Sequence, residues 1–357
     1  MNTTTTTQWG RGVFVSAATV LASSMDSHGA VDQEQFLADI QSGDADKQLA
    51  AWKIADQQDP RVIQSLGKLL TINNMSIAKA AGQSILKIVH SVGKQADSAK
   101  RKPVTNQLLE LLKQETPVIQ TFALRALSLI ADGDSIPAIS PLITKIELWE
   151  EVVFCLERIP GNESDSALIA ALSQVPDDFK PRLMAALGHR KVEGAVAAIQ
   201  DFMQSSNKDL AISAVKAIAR IGVKPDVDPP AFESLSSRQK NIFVDSVLRF
   251  CDIQIQKGNL DFPLDVYRSI FDPQEEEIPE HVICAAIVSA SRIDKPEIVA
   301  AIVQQLGKKP YIVRDTAART LQTMKGVNVE PVLKESAEKA EGDNQKVLLD
   351  ILEKRKA

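Results

Sequence analysis

Six basic side chains recur along this sequence at nearly regular intervals. From the second to the sixth they stand 31, 31, 29 and 43 residues apart. Arginine and lysine donate charge-assisted hydrogen bonds, so a row of them on one surface would bind an acidic peptide or a phosphate backbone. The commoner outcome is a solvated helix face, and Asp245, one helical turn before Arg249, is placed to neutralise its charge. The candidate partner-binding residues are Lys87, Arg158, His189, Arg220, Arg249 and Arg292.

Motifs of the common catalytic sites are absent from the sequence. It has no phosphate-binding loop, no complete dinucleotide fingerprint, no G-x-S-x-G turn and no H-E-x-x-H. Its four histidines are isolated from one another, and none of them is followed directly by a glutamate. The three cysteines, Cys155, Cys251 and Cys284, are far apart and form no C-x-x-C, which is typical of buried free thiols. We therefore expect a protein that is not an enzyme, with no catalytic residue, no cofactor and no metal.

The basic residues occupy one position of a repeating helical pattern. Each stands two positions after a landmark residue, which is usually a large apolar side chain that follows a small one. Six of the eight spacings between landmarks are 29 to 33 residues, the length of one helical hairpin. The landmarks are Trp52, Ile85, Leu127, Leu156, Leu187, Ile218, Val247, Ala290 and Leu321.

Four positions around each landmark form one stripe of a helix. The residue just before the landmark is small in all nine repeats, and the residue three after it is apolar in eight. With the mostly apolar residue four before the landmark, these positions share one face of an α-helix. A second amphipathic segment lies between most landmarks, beside turn signals such as Asp59-Pro60. We predict two helices per repeat, with Trp52 in the buried column and Trp149 near a helix start, both structural.

The landmark helices resemble the HEAT repeat family in its short bacterial form, which is also seen in phycobilin lyases. The second helix of that family typically reads V-R-x-x-A-x-x-A-L-x-x-I-G. The residues that match are Val313-Arg314, Ala317, Thr320, Leu321 and Met324, and in another repeat Ala214, Ala217, Ile218, Ile221 and Gly222. The resemblance covers about residues 45–340. It implies an all-α fold, an α-α superhelix (a HEAT/ARM-like solenoid) of about nine helical-hairpin repeats, right-handed and with an extended groove.

Residues 1–30 differ in composition from the repeat region at 31–357. A Thr-rich polar stretch is followed by Arg11 and by an apolar run from Val13 to Ala22. Two interpretations stay open. A disordered tail on a cytoplasmic protein is favoured, and a weak signal peptide that would export the chain is the alternative. No apolar run approaches the roughly 20 residues that span a bilayer.

The two long landmark spacings mark insertions near residues 91–103 and 252–280. Insertions in solenoids often lie on one functional face. The second insertion carries Leu264, Val266, Ile270 and Phe271, and we predict that it forms an extra helix packed over the stack.

Composition and charge favour a binding scaffold over other function classes. A net charge of −5 is mild for this length and gives no field that would draw in nucleic acid or an anionic membrane. We expect a non-catalytic protein-binding scaffold or adaptor that uses the solenoid groove, with a protein partner and without nucleic acid. Two alternatives stay open: a nucleic-acid binder that resembles the HEAT-like alkylpurine DNA glycosylases, and a phycobilin-lyase-like modifying enzyme. The oligomeric state is not determined by the sequence.

Overall fold

The computed structural model describes residues 33–93, 98–272 and 278–356. Every regular element within these ranges is an α-helix or a short 3₁₀ helix, and they contain no strand, which confirms the all-α prediction. The chain divides into two compact units, unit 1 at Met1–Val175 and unit 2 at Pro176–Ala357. The predicted tail or signal peptide at 1–30 lies outside the described residues.

Unit 1 is built from two layers of helices. Its described α-helices are α1 (33–41), α2 (Ala45–Lys53), α3 (Val62–Leu69), α4 (Met75–Gly93), α5 (Ser98–Leu112), α6 (Pro117–Ile130), α7 (Ile136–Ile139), α8 (Trp149–Arg158) and α9 (Asn162–Ala171). Helices α2, α4, α6 and α8 pack against one another in chain order. On the other side, α3 packs on α5 and α7 packs on α9, and each of these helices also contacts a helix of the first layer.

Unit 2 repeats the two-layer arrangement. Its described α-helices are α10 (Lys180–Arg190), α11 (Val196–Ile199), α12 (Lys208–Ile221), α13 (Ser237–Gln256), α14 (Asp261–Phe271), α15 (Glu280–Ala290), α16 (Pro296–Gln304), α17 (Tyr311–Thr323), α18 (Val329–Lys339) and α19 (Gly342–Lys354). Helices α10, α12, α13, α15, α17 and α19 pack in chain order, and α14, α16 and α18 pack in order in the second layer.

The nine predicted landmarks lie on nine helices of the first layer, which we call the landmark layer. They fall on α2, α4, α6 and α8 in unit 1 and on α10, α12, α13, α15 and α17 in unit 2. Seven of the nine are buried, and the small residue that precedes the landmark is buried in eight repeats. The prediction of one helical pair per repeat is therefore confirmed for most of the described chain.

Trp52 is the clearest departure from the predicted columns. Its side chain is 38 % exposed, so the expectation that it belongs to the buried column is wrong. The ring lies beneath the ammonium group of Lys87, whose Nζ stands 4.8 Å from the ring centroid. Trp52 is therefore covered by a side chain of the next landmark helix rather than by a second-layer helix, and it lines an open groove.

Val247 is only half-buried because the second layer is interrupted beside it. The segment between α12 and α13 holds one short 3₁₀ helix, Phe232–Ser234, and no α-helix. Val247 and Phe243 consequently line two cavities, of about 410 and about 180 Å³. The interruption therefore leaves Val247 open to these cavities, although α14 packs on another part of α13.

The predicted insertions contain ordinary elements of the stack. The first, 91–103, includes the start of α5, although 94–97 lie outside the described residues. The second, 252–280, contains α14 and the end of the long helix α13, while 273–277 lie outside the described residues. Helix α14 buries Ile270 and Phe271 and half-buries Leu264 and Val266, and it is the ordinary second-layer helix of its repeat rather than an extra one.

Local signals fix the ends of the two helices that matter most for the site. The side chain of Asn207 accepts hydrogen bonds from the first backbone amides of α12, and Gly222 ends that helix at φ +74°. Ser236 and Gln239 form a reciprocal capping box at the start of α13. Caps of this kind stabilise a helix by about 1 kcal/mol. They place Arg220 in the last turn of α12 and Arg249 in the interior of α13.

Candidate functional site

Four of the six candidate residues line one open groove in unit 2. This unit-2 groove has a volume of about 870 Å³ and runs across α10, α12, α13, α15 and α17. It contains His189, Arg220, Arg249 and Arg292, because equivalent positions on consecutive landmark helices face the same side. The other two candidates, Lys87 and Arg158, lie in unit 1.

His189 and Arg220, which both line the unit-2 groove, contact each other. Arg220 donates from Nη1 to Nε2 of His189. A guanidinium group has no acceptor, so Nε2 of His189 is the acceptor of this bond. The contact holds the Arg220 side chain beside α10 and leaves its remaining N–H groups for a ligand.

Arg249 is an exposed cation of the unit-2 groove. It makes no hydrogen bond or ion pair with any residue that the structure describes. The predicted neutralisation by Asp245 is therefore absent, although both side chains line the groove. A guanidinium with five unused N–H donors in an open groove is suited to bidentate binding of a carboxylate.

Arg292 has a different environment, because a chain of hydrogen bonds holds its partner. Arg292 forms an ion pair with Asp252, and the hydroxyl of Ser289 donates to the same carboxylate. Ser289 has a single proton, so its oxygen accepts from the hydroxyl of Tyr267, at 2.6 Å. Tyr267 is fully buried, and burial raises the pKa of its hydroxyl, which keeps the donor proton in place. The charge of Arg292 is thus balanced within the protein.

Several residues of the unit-2 groove lie outside the predicted column. Lys191 caps the C-terminus of α10 with a left-handed backbone conformation, at φ 55°. It lines the groove but does not stand two positions after a landmark, so the repeat pattern does not indicate it. No local sequence pattern indicates the ion pair of Asp252, because its partner Arg292 is distant in sequence. Val288 is an exposed apolar residue, 49 % accessible, that also lines the groove.

The cysteines are all free, and one of them lies in the unit-2 groove. Cys155 and Cys251 are buried, and desolvation raises the pKa of each thiol to about 12. Cys284 is only half-buried, which corrects the expectation that all three are buried. Its thiol donates to the carbonyl oxygen of Ile312, at 3.7 Å, and accepts from Thr316, at 3.4 Å.

Lys87 lies in a second groove, in unit 1, of about 750 Å³. Its ammonium group is 3.1 Å from Oδ1 of Asp56, donates to the backbone carbonyl of Lys53 and stands over the ring of Trp52. Three contacts therefore satisfy this cation, so it offers little to a ligand.

Arg158 lies on α8 and does not line the unit-1 groove. Its guanidinium carbon stands 5.4 Å from the ring centroid of Phe154, one helical turn earlier, and its side chain is exposed. Within unit 2, the structure therefore brings the members of the predicted column together in one groove.

The described residues contain no group of three or more His, Cys, Asp or Glu side chains that could hold a metal ion. Among the helices of the described ranges, none is long and apolar enough to cross a membrane.

Comparisons with known proteins identify no family. No protein-family model matches the chain, and no curated protein matches it. Among solved structures, an engineered protein is similar at 19 % identity and a TM-score of 0.37, over 91 % of this chain and 99 % of that one. Importin beta is similar at 14 % identity and a TM-score of 0.47, over 84 % of this chain and 48 % of that one, so the chain spans about half its length.

Proposed function

We propose that this protein is a non-catalytic scaffold, a HEAT-like right-handed solenoid, that binds an acidic segment of a partner protein in the unit-2 groove. The observation that carries the proposal is Arg249, an exposed arginine with no partner among the described residues, in a groove that also contains Arg220. An unpaired cation in an open groove retains its full capacity for a carboxylate ligand.

A protein partner fits the groove better than a nucleic acid does. Asp245 and Asp252 lie among the cations, and they would repel a phosphate backbone, which carries a charge at every step. The groove lining includes no Phe, Tyr or Trp, whereas proteins that bind single strands stack bases on aromatic rings. A peptide can place an isolated carboxylate at Arg249 and a neutral residue beside each Asp.

Binding fits the groove better than catalysis does. The half-buried thiol of Cys284 has a hydroxyl and a carbonyl as neighbours, and the ring nitrogen Nε2 of His189 is occupied by Arg220. A thiol nucleophile needs an adjacent base, and none of these neighbours is one. This supports a role in holding a partner.

The test is a titration of the protein against a fluorescent Glu-containing peptide and, separately, against a DNA duplex, at low and high salt. We expect saturable peptide binding that Arg249→Glu weakens about 100-fold and that the matched control Arg238→Glu retains. Arg238 is an exposed arginine on the same helix and does not line the groove. Duplex binding that exceeds peptide binding and weakens steeply with salt would overturn the proposal in favour of a nucleic-acid binder.

A further inference from the structure

The two sides of the unit-2 groove differ in charge. On the side of α10, α12 and α13, Lys191, Arg220 and Arg249 face a single carboxylate that has no ion pair among the described residues, Asp245. On the side of α15, the charge of Arg292 is balanced by its own ion pair. An anionic ligand group is therefore attracted to the first side and gains little from the second.

The α15 side instead offers apolar surface. Val288 is 49 % exposed, Ala285 is exposed beside it one turn earlier, and Cys284 is half-buried next to both. A branched apolar side chain half open to water in a groove gains free energy when another apolar group covers it. The α15 side is therefore suited to an apolar side chain of the ligand.

The spacing of the helices sets the distance between the two ligand groups. Helix α13, which carries Arg249, packs directly on α15, which carries Val288. Axes of packed helices lie about 8–10 Å apart. In an extended polyproline II chain, every third residue points the same way and lies about 9 Å further along. An acidic and an apolar residue about three positions apart in such a chain would reach both sides.

We propose that the unit-2 groove recognises a two-part motif in its partner: an acidic residue bound at Arg249 and Arg220, and an apolar residue about three positions away that covers Val288. This deepens the proposed function and rests on it, because it assumes that the groove binds an acidic peptide. Arg292 is not a ligand-binding residue in this arrangement, since Asp252 already holds it.

Cys284 provides a readout at the site itself. It lines the groove, whereas the other two thiols are buried with a pKa raised to about 12. The thiolate is the reactive form, so a maleimide at mildly alkaline pH modifies Cys284 first. A peptide in the groove slows this reaction, and the concentration that gives half of the protection measures its affinity.

The experiment compares peptides with Glu alone, Leu alone, or Glu and Leu three positions apart in either order, all on a Gly/Ser background. We expect the better Glu–Leu peptide to protect Cys284 at about tenfold lower concentration than the Glu peptide, because covering part of a Leu contributes about that factor. Val288→Ser should remove this advantage, and Val327→Ser, at an exposed valine outside the groove, should leave it unchanged.

The outcomes separate this inference from the proposed function. Equal protection by the Glu and Glu–Leu peptides overturns the two-part motif and leaves acidic-peptide binding intact. An advantage of Leu that survives in Val288→Ser also overturns it. If no peptide protects Cys284 and none binds by fluorescence anisotropy, both the motif and the proposed function are wrong.

Discussion

The two grooves place a basic residue at the same position of the repeat, yet the two residues have different environments. Lys87 in unit 1 is held by Asp56, by a backbone carbonyl and by the ring of Trp52. Arg249 in unit 2 has no partner among the described residues. The repeat therefore determines where a side chain lies, and the neighbouring segments determine whether its charge is available.

The source of the difference is local. Asp56 belongs to the 3₁₀ helix Ala55–Gln57, which follows α2 and places a carboxylate within reach of the next landmark helix. In unit 2 the corresponding partner for Arg292 comes from α13, because this 20-residue helix extends far enough to carry Asp252. Arg249 has neither kind of neighbour. Within one column of basic residues, Lys87 and Arg292 are thus satisfied by neighbouring groups, whereas Arg249 is free to bind.

The largest expected effect comes from reversing the charge of these two cations in turn. Arg249→Glu should weaken binding of a Glu-containing peptide about 100-fold, since it removes a charge-assisted contact and adds repulsion. Lys87→Glu should change the affinity by less than about twofold, because Lys87 lies outside the unit-2 groove. Fluorescence anisotropy titrations measure both. Similar losses of peptide affinity in the two variants would show that Arg249 is no more available to a ligand than Lys87 is.

A second effect should appear when Ser289 and Ser84, which each directly precede a landmark residue, are replaced by alanine. The quantity compared is the free energy of unfolding. Ser289→Ala leaves the buried hydroxyl of Tyr267 without its acceptor, and we expect a loss of about 1–3 kcal/mol in the free energy of unfolding. Ser84 donates only to the carbonyl oxygen of Ala80 in its own helix, so Ser84→Ala should cost less than about 0.5 kcal/mol. Urea denaturation compares them, and equal losses would show that the Tyr267 chain contributes nothing.

A smaller effect tests whether the ion pair with Asp252 keeps Arg292 from binding the ligand. Asp252→Asn removes its ion pair and frees a second guanidinium in the groove, so affinity for the Glu peptide should rise about threefold. Asp245→Asn removes a groove carboxylate that has no ion pair among the described residues, and its gain should be smaller. If Asp245→Asn gives the larger gain, Arg292 is not restrained by Asp252.

The smallest effect is expected at the ion pair of unit 1. The side chains of Asp56 and Lys87 are 33 % and 22 % exposed, and pairs so close to solvent contribute about 1 kcal/mol or less. Asp56→Asn should therefore lower stability by no more than about 1 kcal/mol and leave peptide binding unchanged. Thermal denaturation measures the first, and a gain in peptide affinity would show that Lys87 can join the binding surface.

The helical pairs are largely predictable from the sequence because burial imposes a repeated pattern of residue size. Helices must pack closely at the position before each landmark, so the residue at that position is small. The resulting column of small residues can be recognised from the sequence alone. Trp52 shows the limit of this reasoning. A large apolar side chain at the right position can still lie in a groove when a neighbouring cation covers its ring.

The candidate site is predictable only in part. The column places His189, Arg220, Arg249 and Arg292 along one groove, which follows from the repeat alone. The availability of each charge depends on contacts between distant residues, such as Arg292 with Asp252, and on where a helix ends, as for Lys191. Neither has a periodic signal, so the sequence cannot distinguish Arg249 from Arg292.

A charge-swap titration tests the central claim most directly, because it asks whether Arg249 itself meets a carboxylate of the ligand. The wild type and Arg249→Glu are each titrated with a Glu peptide and with the same peptide carrying Lys in place of Glu. We predict that Arg249→Glu loses the Glu peptide and binds the Lys peptide more tightly than the wild type does, with Arg238→Glu behaving like the wild type. Undiminished binding of the Glu peptide by Arg249→Glu would contradict the account.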